Sequence, residues 1–236
     1  MARAVVLVAA AAVLLIASGP IAAETAPLGP CRPDAHDGLI CGAGDGAARV
    51  IADTISPSKR LALAWRSTSG PPTEQPDDDD IELLLVRLSD GAVLSKQKGA
   101  FWDTGEMHAN RRGETAAWSP DSRLLVETYH SRFSTDSMTV FAIAPADKAS
   151  GSLDLLKIVE PAVRSELKRR VRSVEPYELF VQRIAIDRAG RIRALVDLWV
   201  PKDGPSATFA VTAAVTRKGD ALAARVTSVR RSREKQ

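Results

Sequence analysis

ETAAWSPDSRLLVETYHSRFSTDSMTVFAI, residues 114–143, is the stretch that decides how this chain folds. Trp118 to Ser122 combines Pro, Asp and Ser, residues that bend the backbone or hydrogen-bond to it, and so predicts a turn. The segment after it, Arg123 to Tyr129, is a predicted strand. Beyond the polar residues 130–137, Met138 to Ile143 is a second β-branched and aromatic run that we expect to pair antiparallel with the first.

The turn in this stretch recurs in two other places. ISPSKRLALAW from Ile55 and IDRAGRIRALVDL from Ile186 align with the segment that begins at Trp118, so the starts lie 63 and 68 residues apart. This period is longer than the roughly 40 to 50 residues of ordinary propeller blades and leaves room for insertions. Each copy is followed by another predicted strand, at residues 81–88, 138–143 and 207–215. The sequence therefore predicts a mainly β protein built as an antiparallel meander of repeated units.

These segments resemble blades of known β-propellers. WSPDSRLLV from Trp118 and IELLLVRLSDGAVL from Ile81 look like blade pieces of TolB-type periplasmic propellers and of the propellers of prolyl oligopeptidases. The resemblance covers residues 55–143, with a weaker echo after Ile186, and it implies blade geometry and, by analogy, a role in the cell envelope. Because a closed propeller needs at least about four blades, we expect propeller-blade-like repeats in an incomplete propeller or a curved sheet.

The composition is ordinary for a soluble globular protein. The chain has 236 residues, of which 45% are hydrophobic and 26% charged, enough for one domain, which we place at residues 24–230. Its net charge is +3. Removing residues 1–23 takes away one positive charge, that of Arg3, and no negative charge. A charge so close to neutral argues against nucleic acid as a partner.

The N-terminus has the pattern of a secretory signal peptide. Arg3 precedes the uncharged apolar run Ala4 to Ile16, and Ala22 and Ala23 are small residues suited to cleavage before Glu24. We therefore predict a signal peptide at residues 1–23 and a periplasmic or secreted protein; an uncleaved N-terminal anchor is the alternative. No later segment is apolar for long enough to span a membrane.

Two cysteines agree with export. Cys31 and Cys41 enclose nine residues rich in turn formers, and in an oxidising compartment they are predicted to form a disulfide. A metal site using both thiols and His36 is the alternative, but the spacing matches no usual zinc pattern.

Loops follow the first predicted strand. Residues 67–80, STSGPPTEQPDDDD, contain Pro, Gly and four consecutive Asp, which predict an exposed loop rather than a Ca²⁺ site, since Ca²⁺ loops stagger their ligands around a Gly turn. Asp90-Gly91 then predicts a tight hairpin turn.

One amphipathic helix is predicted at residues 152–173. Ser152 is the expected cap, and Leu155, Val159, Val163, Leu167 and Val171 recur on one face. Pro161 lies inside this pattern and is expected to kink or split the helix. Four strands are predicted after it, at residues 178–187, 191–200, 207–216 and 221–229, followed by a frayed tail at residues 231–236.

Motifs for chemistry are few. The sequence contains no G-x-S-x-G, H-E-x-x-H, G-x-G-x-x-G or P-loop. The S-x-x-K matches at Ser56 and Ser165 lack the companion K-T-G and are attributed to chance. We accordingly predict no catalytic residue, no metal ligand and no cofactor.

Two functional classes remain. The first is an exported, non-catalytic propeller-like module that binds a protein or cell-envelope partner through its loops, with Phe101, Trp102, Arg111 and Arg112 as candidate contacts because these residue types are enriched at interfaces. The second is a hydrolase or metal-dependent enzyme with a dispersed site. It would combine His108 with Glu106, or His130 with Glu127.

Overall fold

The computed structural model of the protein describes residues 26–34, 38–70, 76–104, 107–108, 112–169, 176–200 and 206–232. The predicted signal peptide lies outside the described residues. Within them the chain is mainly β, as predicted, with three antiparallel sheets, a two-stranded ribbon and one α-helix. The described sheets form no closed propeller.

Each sheet is a meander whose strands are neighbours in the order of the sequence. The first sheet contains β1 (Cys31–Pro33), β2 (Leu39–Cys41), β3 (Ala48–Val50), β4 (Leu61–Ser67), β5 (Ile81–Arg87) and β6 (Ala92–Gln97). The ribbon is β7 (Asp103–Thr104) with β8 (Met107–His108). The second sheet contains β9 (Gly113–Trp118), β10 (Leu124–His130), β11 (Thr135–Ala144) and β12 (Lys148–Asp154). The third contains β13 (Glu178–Ile186), β14 (Arg191–Trp199), β15 (Ser206–Lys218) and β16 (Ala221–Arg231).

The repeated turn is the same structure in all three sheets. Its first residue accepts a backbone hydrogen bond from the fourth, and its side-chain oxygen accepts a second one from the start of the next strand. The fourth residue has a positive φ, at 56° for Lys59, 58° for Ser122 and 74° for Gly190. The first residues are Ser56, Ser119 and Asp187. Ser and Asp are suited to this position because their short side chains bond to nearby backbone.

Two of these turns also join the first sheet to the second. The backbone N–H of Ser58 donates to Oγ of Ser122 at 3.0 Å. The indole Nε1 of Trp118 donates to the carbonyl oxygen of Thr54 at 2.8 Å. The residues that define the repeat thus also fix how adjacent sheets meet.

The hydrophobic core lies in two layers, one on each side of the second sheet. The layer toward the first sheet includes Trp65 and Leu83 of that sheet and Leu125 and Phe141 of the second. The layer toward the third sheet is larger and includes Met138 of the second sheet, Phe209 of the third and the buried face of the helix. Burial of apolar surface in these layers holds the three sheets together.

A third, smaller cluster lies under the N-terminal arm, residues 28–41. The sulfur atoms of Cys31 and Cys41 lie at bonding distance, 1.93 Å, across the β1–β2 pair, as the disulfide prediction requires. Backbone N–H groups of this arm donate to the turn after β5, for example Cys31 to Leu88 at 3.0 Å. The arm covers Ala64, Leu84 and Val86, so the outer face of the first sheet is closed.

The helix is shorter than predicted. α1 spans Leu156–Lys168, because Ser152 pairs with Phe141 in β12 and completes the second sheet instead of capping a helix. Asp154 is the last residue of β12, paired with Thr139, and its Oδ1 accepts a hydrogen bond from the N–H of Lys157 at 3.2 Å. α1 continues through Pro161 without splitting. No helix among the described residues is long and apolar enough to cross a membrane.

The buried face of α1 matches the predicted periodicity. Val159, Val163 and Leu167 are all buried, and together with Leu155 they pack into the layer between the second and third sheets. Val171, the last predicted member, lies outside the described residues. The four predicted C-terminal strands are confirmed to within about three residues, and β16 extends to Arg231, the first residue of the predicted tail. Residues 233–236 lie outside the described residues.

Candidate functional site

The predicted partner-binding segment is largely tied to the first sheet. Trp102 is only 7% exposed and lies in the core layer, while Phe101 is half-buried against the same layer. The neighbouring Asp103 accepts a hydrogen bond from the indole Nε1 of Trp65 at 2.7 Å. Arg111 lies outside the described residues. Partner binding by this segment stays a prediction, and the described contacts of Trp102 are internal.

Arg112 is engaged with the acidic run. One guanidinium nitrogen donates to Oδ2 of Asp78 at 2.6 Å, and a second bonds to its other oxygen. Asp78–Asp80 form a short 3₁₀ turn that leads directly into β5. Such a bidentate pair anchors the run to the start of β9.

The most unusual polar group in the described interior is a pair of glutamates. Glu114 of β9 and Glu127 of β10 lie diagonally across the strand pair, on the face of the second sheet that packs toward the first sheet. Their side chains are 6% and 1% exposed. Ser137 donates to Glu127 Oε1 at 3.4 Å, whereas neither oxygen of Glu114 has a donor partner among the described residues.

Burial controls the ionisation of this pair. It raises the pKa of Glu127 to about 7, against hydrogen bonds from Glu114, Thr139 and Ser137 that lower it. Burial, followed by the charge of Glu127, raises the pKa of Glu114 well above its ordinary value. Two ionised carboxylates can only accept hydrogen bonds, so burial side by side favours the protonated form of these groups.

His130 is a core residue at the other interface. Its ring stacks on Phe180 of β13, with ring centroids 4.5 Å apart. Thr135 Oγ1 lies 2.9 Å from Nδ1 and also accepts the backbone N–H of Val181 at 2.8 Å. Burial lowers the pKa of His130 to about 4. The ring is accordingly neutral at pH 7.

Of the two combinations proposed for a dispersed site, His130 with Glu127 does not assemble, and His108 with Glu106 stays a prediction. Glu127 faces the first sheet and His130 faces the third, so β10 separates the two side chains. Cys31 and Cys41 are bonded to each other, which removes the thiolates that a metal would need. His36 and Glu106 lie outside the described residues. The part of the chain that the structure describes contains no group of three or more His, Cys, Asp or Glu suited to a metal ion.

The outer face of the third sheet carries exposed arginines in register. One row across the sheet reads Arg183, Leu195, Ala210 and Arg230, and the next reads Ala185, Arg193, Thr212 and Ser228. A third row contains Arg191, Ala214 and Arg225. We call the five arginines Arg183, Arg191, Arg193, Arg225 and Arg230 the basic face; all five are exposed.

A groove of about 790 Å³ crosses part of this face. It is lined by residues of β13, β14 and β15, among them Arg183, Arg193 and Thr212, and by Thr115 and Ala116 of the neighbouring β9. The floor includes small side chains such as Ala210, which leave the backbone accessible. Two sheets thus contribute to one basic groove.

Sequence reasoning missed the basic face, although part of its signal is readable. Arg191 and Arg193 alternate with Ile192 and Ala194 in β14, which places both arginines on one face of a strand.

Another missed residue is Phe133, which is 55% exposed at the turn after β10, with the Arg132 guanidinium 4.8 Å from its ring centroid.

No protein-family model matches the chain, and no curated protein matches it either. The resemblance to TolB-type propeller blades therefore stays a prediction that rests on the sequence segments from Ile81 and Trp118.

Proposed function

We propose that this protein is an exported, non-catalytic β module that binds a component of the cell envelope. The observation that carries the proposal is the basic face, a charged surface of the third sheet with a groove across it. Exposed charged residues placed together on a rigid sheet are the usual basis of recognition, since the scaffold holds them without further ordering.

The outer faces of the first and third sheets differ in a way that supports binding at the third sheet. The outer face of the first sheet is covered by the disulfide-bonded N-terminal arm. At the other end, Arg193, Arg225 and Arg230 project from the third sheet without an ion pair to any described residue. A bonded cysteine pair is compatible with an extracytoplasmic location, where disulfides persist, and the proposed export follows from the predicted signal peptide.

The binding surface proposed here is a sheet face, whereas the sequence favoured loops. Trp102 is buried and Arg112 is paired with Asp78, so these two side chains already have partners inside the protein. Unpaired exposed arginines are better placed to meet a partner, because no internal contact must break first.

Fractionation tests this function directly. The mature protein, from Glu24 onward, is mixed with an envelope fraction and sedimented, with crosslinking before solubilisation. Saturable co-sedimentation that weakens as salt is added is the expected result, because added salt screens contacts between exposed charges. If the protein stays in the supernatant at all salt concentrations, the proposal is wrong.

A second function is favoured by one observation only, the raised pKa values of Glu114 and Glu127. Paired carboxyls of this kind occur in acid–base catalysis. Both side chains, however, are sealed in a core layer, and neither lines the grooves found on the described surface. A structural role in joining two sheets accounts for them. A stoichiometric metal in the purified mature protein, lost on His108→Ala or His130→Ala substitution, would instead support the enzyme.

A further inference from the structure

The charge of this chain is concentrated in its third sheet. Residues 176–232 contain ten Lys and Arg against five Asp and Glu, a net charge of +5, while the whole chain has +3. The rest of the chain is therefore slightly negative. A ligand attracted by this uneven distribution is an anion, and it meets the third sheet first.

The arginines of the basic face are spread over a surface instead of gathered at one point. Arg183 and Arg230 stand at opposite ends of one row, three strand spacings or about 14 Å apart. Arg193 lies in the next row and Arg225 in the row beyond it. A single small anion contacts at most one or two such positions, whereas an extended ligand with repeated charges contacts them together.

Acidic neighbours leave most of this charge available. Asp197, in the row beside Arg183 and Leu195, accepts a hydrogen bond from Thr208 at 2.6 Å and another from Gln182. Asp187, at the turn, lies 3.9 Å from Arg191. Arg193, Arg225 and Arg230 have no carboxylate partner among the described residues. A guanidinium group without a carboxylate partner can donate two parallel hydrogen bonds to the oxygens of a carboxylate or phosphate group.

The side chains between the arginines indicate the chemistry of the ligand. Apart from the half-buried Leu195, they are small or hydroxylated, chiefly Ala185, Ala210, Thr212 and Ser228, and Thr115 borders the groove. Large apolar anchors, which dominate protein interfaces and membrane insertion, are not exposed here: among described residues the exposed large hydrophobic side chains are Ile55 and Phe133, in the first and second units. Hydroxyls and small residues suit a chain of polar sugars.

We infer that the basic face binds an anionic glycan, a polysaccharide whose sugars carry carboxylate or phosphate groups. The inference rests on the proposed envelope-binding function and names the class of partner for the same surface. Arg193, Arg225 and Arg230 bind the anionic groups, and the groove beside Thr212 and Thr115 holds the sugar chain. Export makes this class of ligand accessible, because such glycans lie outside the cytoplasm.

The test measures binding of the mature protein to defined probes. These are polygalacturonate, a phosphorylated mannan, neutral dextran, anionic phospholipid vesicles and double-stranded DNA of matched length. The basic-face variant is Arg193→Gln with Arg225→Gln and Arg230→Gln. Its matched control is Lys59→Gln with Lys98→Gln and Lys148→Gln, which removes the same charge from exposed positions of the first two sheets.

The expected result is salt-sensitive binding to one or both anionic glycans and none to dextran. Each exposed contact that is lost lowers the binding affinity roughly threefold. The affinity of the basic-face variant for the glycan should therefore fall about 30-fold, and that of the control variant less than threefold. Equal losses in the two variants, binding to vesicles alone, or equally tight binding to DNA would overturn the inference. If the protein sediments with envelopes but binds neither glycan, the inference fails and the proposed function stands; if it does not sediment, the proposed function fails.

Discussion

Glu114 and Glu127 face each other diagonally across β9 and β10, and both carboxyl groups are buried between the first and second sheets. No carboxylate pair can remain fully ionised in such a position without a compensating cation. The packing of these two sheets is therefore linked to the protonation of the pair, and stability should depend on pH in a way that can be measured.

Glu127→Gln should remove part of this pH dependence. The pKa of Glu127 is raised to about 7 in the folded state from an ordinary value of 4.5. Because this pKa is raised, the contribution of Glu127 to the free energy of unfolding is fully present below pH 4.5 and is lost as the pH rises to 7. The loss is on the order of 3 kcal/mol. Urea unfolding between pH 4.5 and 8 should show the variant more stable than the wild type above pH 7. Glu178→Gln, on the third sheet, is the control; a variant whose profile matches the wild type contradicts the account.

His130→Gln should act in the opposite direction. The pKa of His130 is lowered by burial to about 4 from 6.5, so its contribution is present above pH 6.5 and is lost as the pH falls toward 4. This loss is also on the order of 3 kcal/mol. The variant should therefore unfold less readily in acid, relative to its own stability at pH 7, than the wild type does. Equal acid sensitivity of the two proteins would show that His130 is not buried in its neutral form.

The disulfide should stabilise the arm that covers the first sheet. Replacing Cys31 and Cys41 by Ser should lower the free energy of unfolding by about 3 kcal/mol, because closing a loop of this length restricts the unfolded chain. Thermal unfolding with and without a reductant measures the effect. The reductant should destabilise the wild type and leave the double variant unchanged. A wild type that is insensitive to reduction would contradict the prediction.

Gly91 tests the contact between this arm and the turn after β5. A Cβ at Gly91 would lie 2.1 Å from the carbonyl oxygen of Gly29, and its φ is 68°. Gly44, in the loop after β2, has a φ of 70° and open space around it. Both Ala substitutions strain the backbone by about 1 kcal/mol, but only Gly91→Ala also displaces the arm. The free energy of unfolding, measured with a chemical denaturant, should therefore be clearly lower for Gly91→Ala than for Gly44→Ala. Equal free energies of unfolding would show that the arm does not pack against Gly91.

Much of the fold could be predicted from the sequence because its turns are local. Ser119 and Asp187 bond to backbone within five residues, so the turn residues alone carry the information. The alternating pattern of β13 to β16 likewise reports one buried face. The start of the helix could not be predicted in the same way, because Ser152 is a strand residue only through its pairing with Phe141.

The candidate surface needed the tertiary structure. Arg191 and Arg193 are neighbours in the sequence, but Arg225 and Arg230 join them only through the register of β15 with β16, which shifts after Thr212. A shift of one residue moves every later side chain to the other face of a strand. Trp102 was a candidate contact because of its residue type, and only the packing of the first sheet shows that it is buried.

Site-specific crosslinking shows whether the basic face is the surface that contacts the envelope. A photoreactive amino acid replaces Thr212, in the middle of the basic face, and in a control protein it replaces Asp53, an exposed residue of the first unit. Both proteins are incubated with intact envelopes and irradiated. The account predicts crosslinked envelope material at position 212 and little at position 53. Crosslinks at position 53 alone, or at neither position while the protein remains folded, would contradict it.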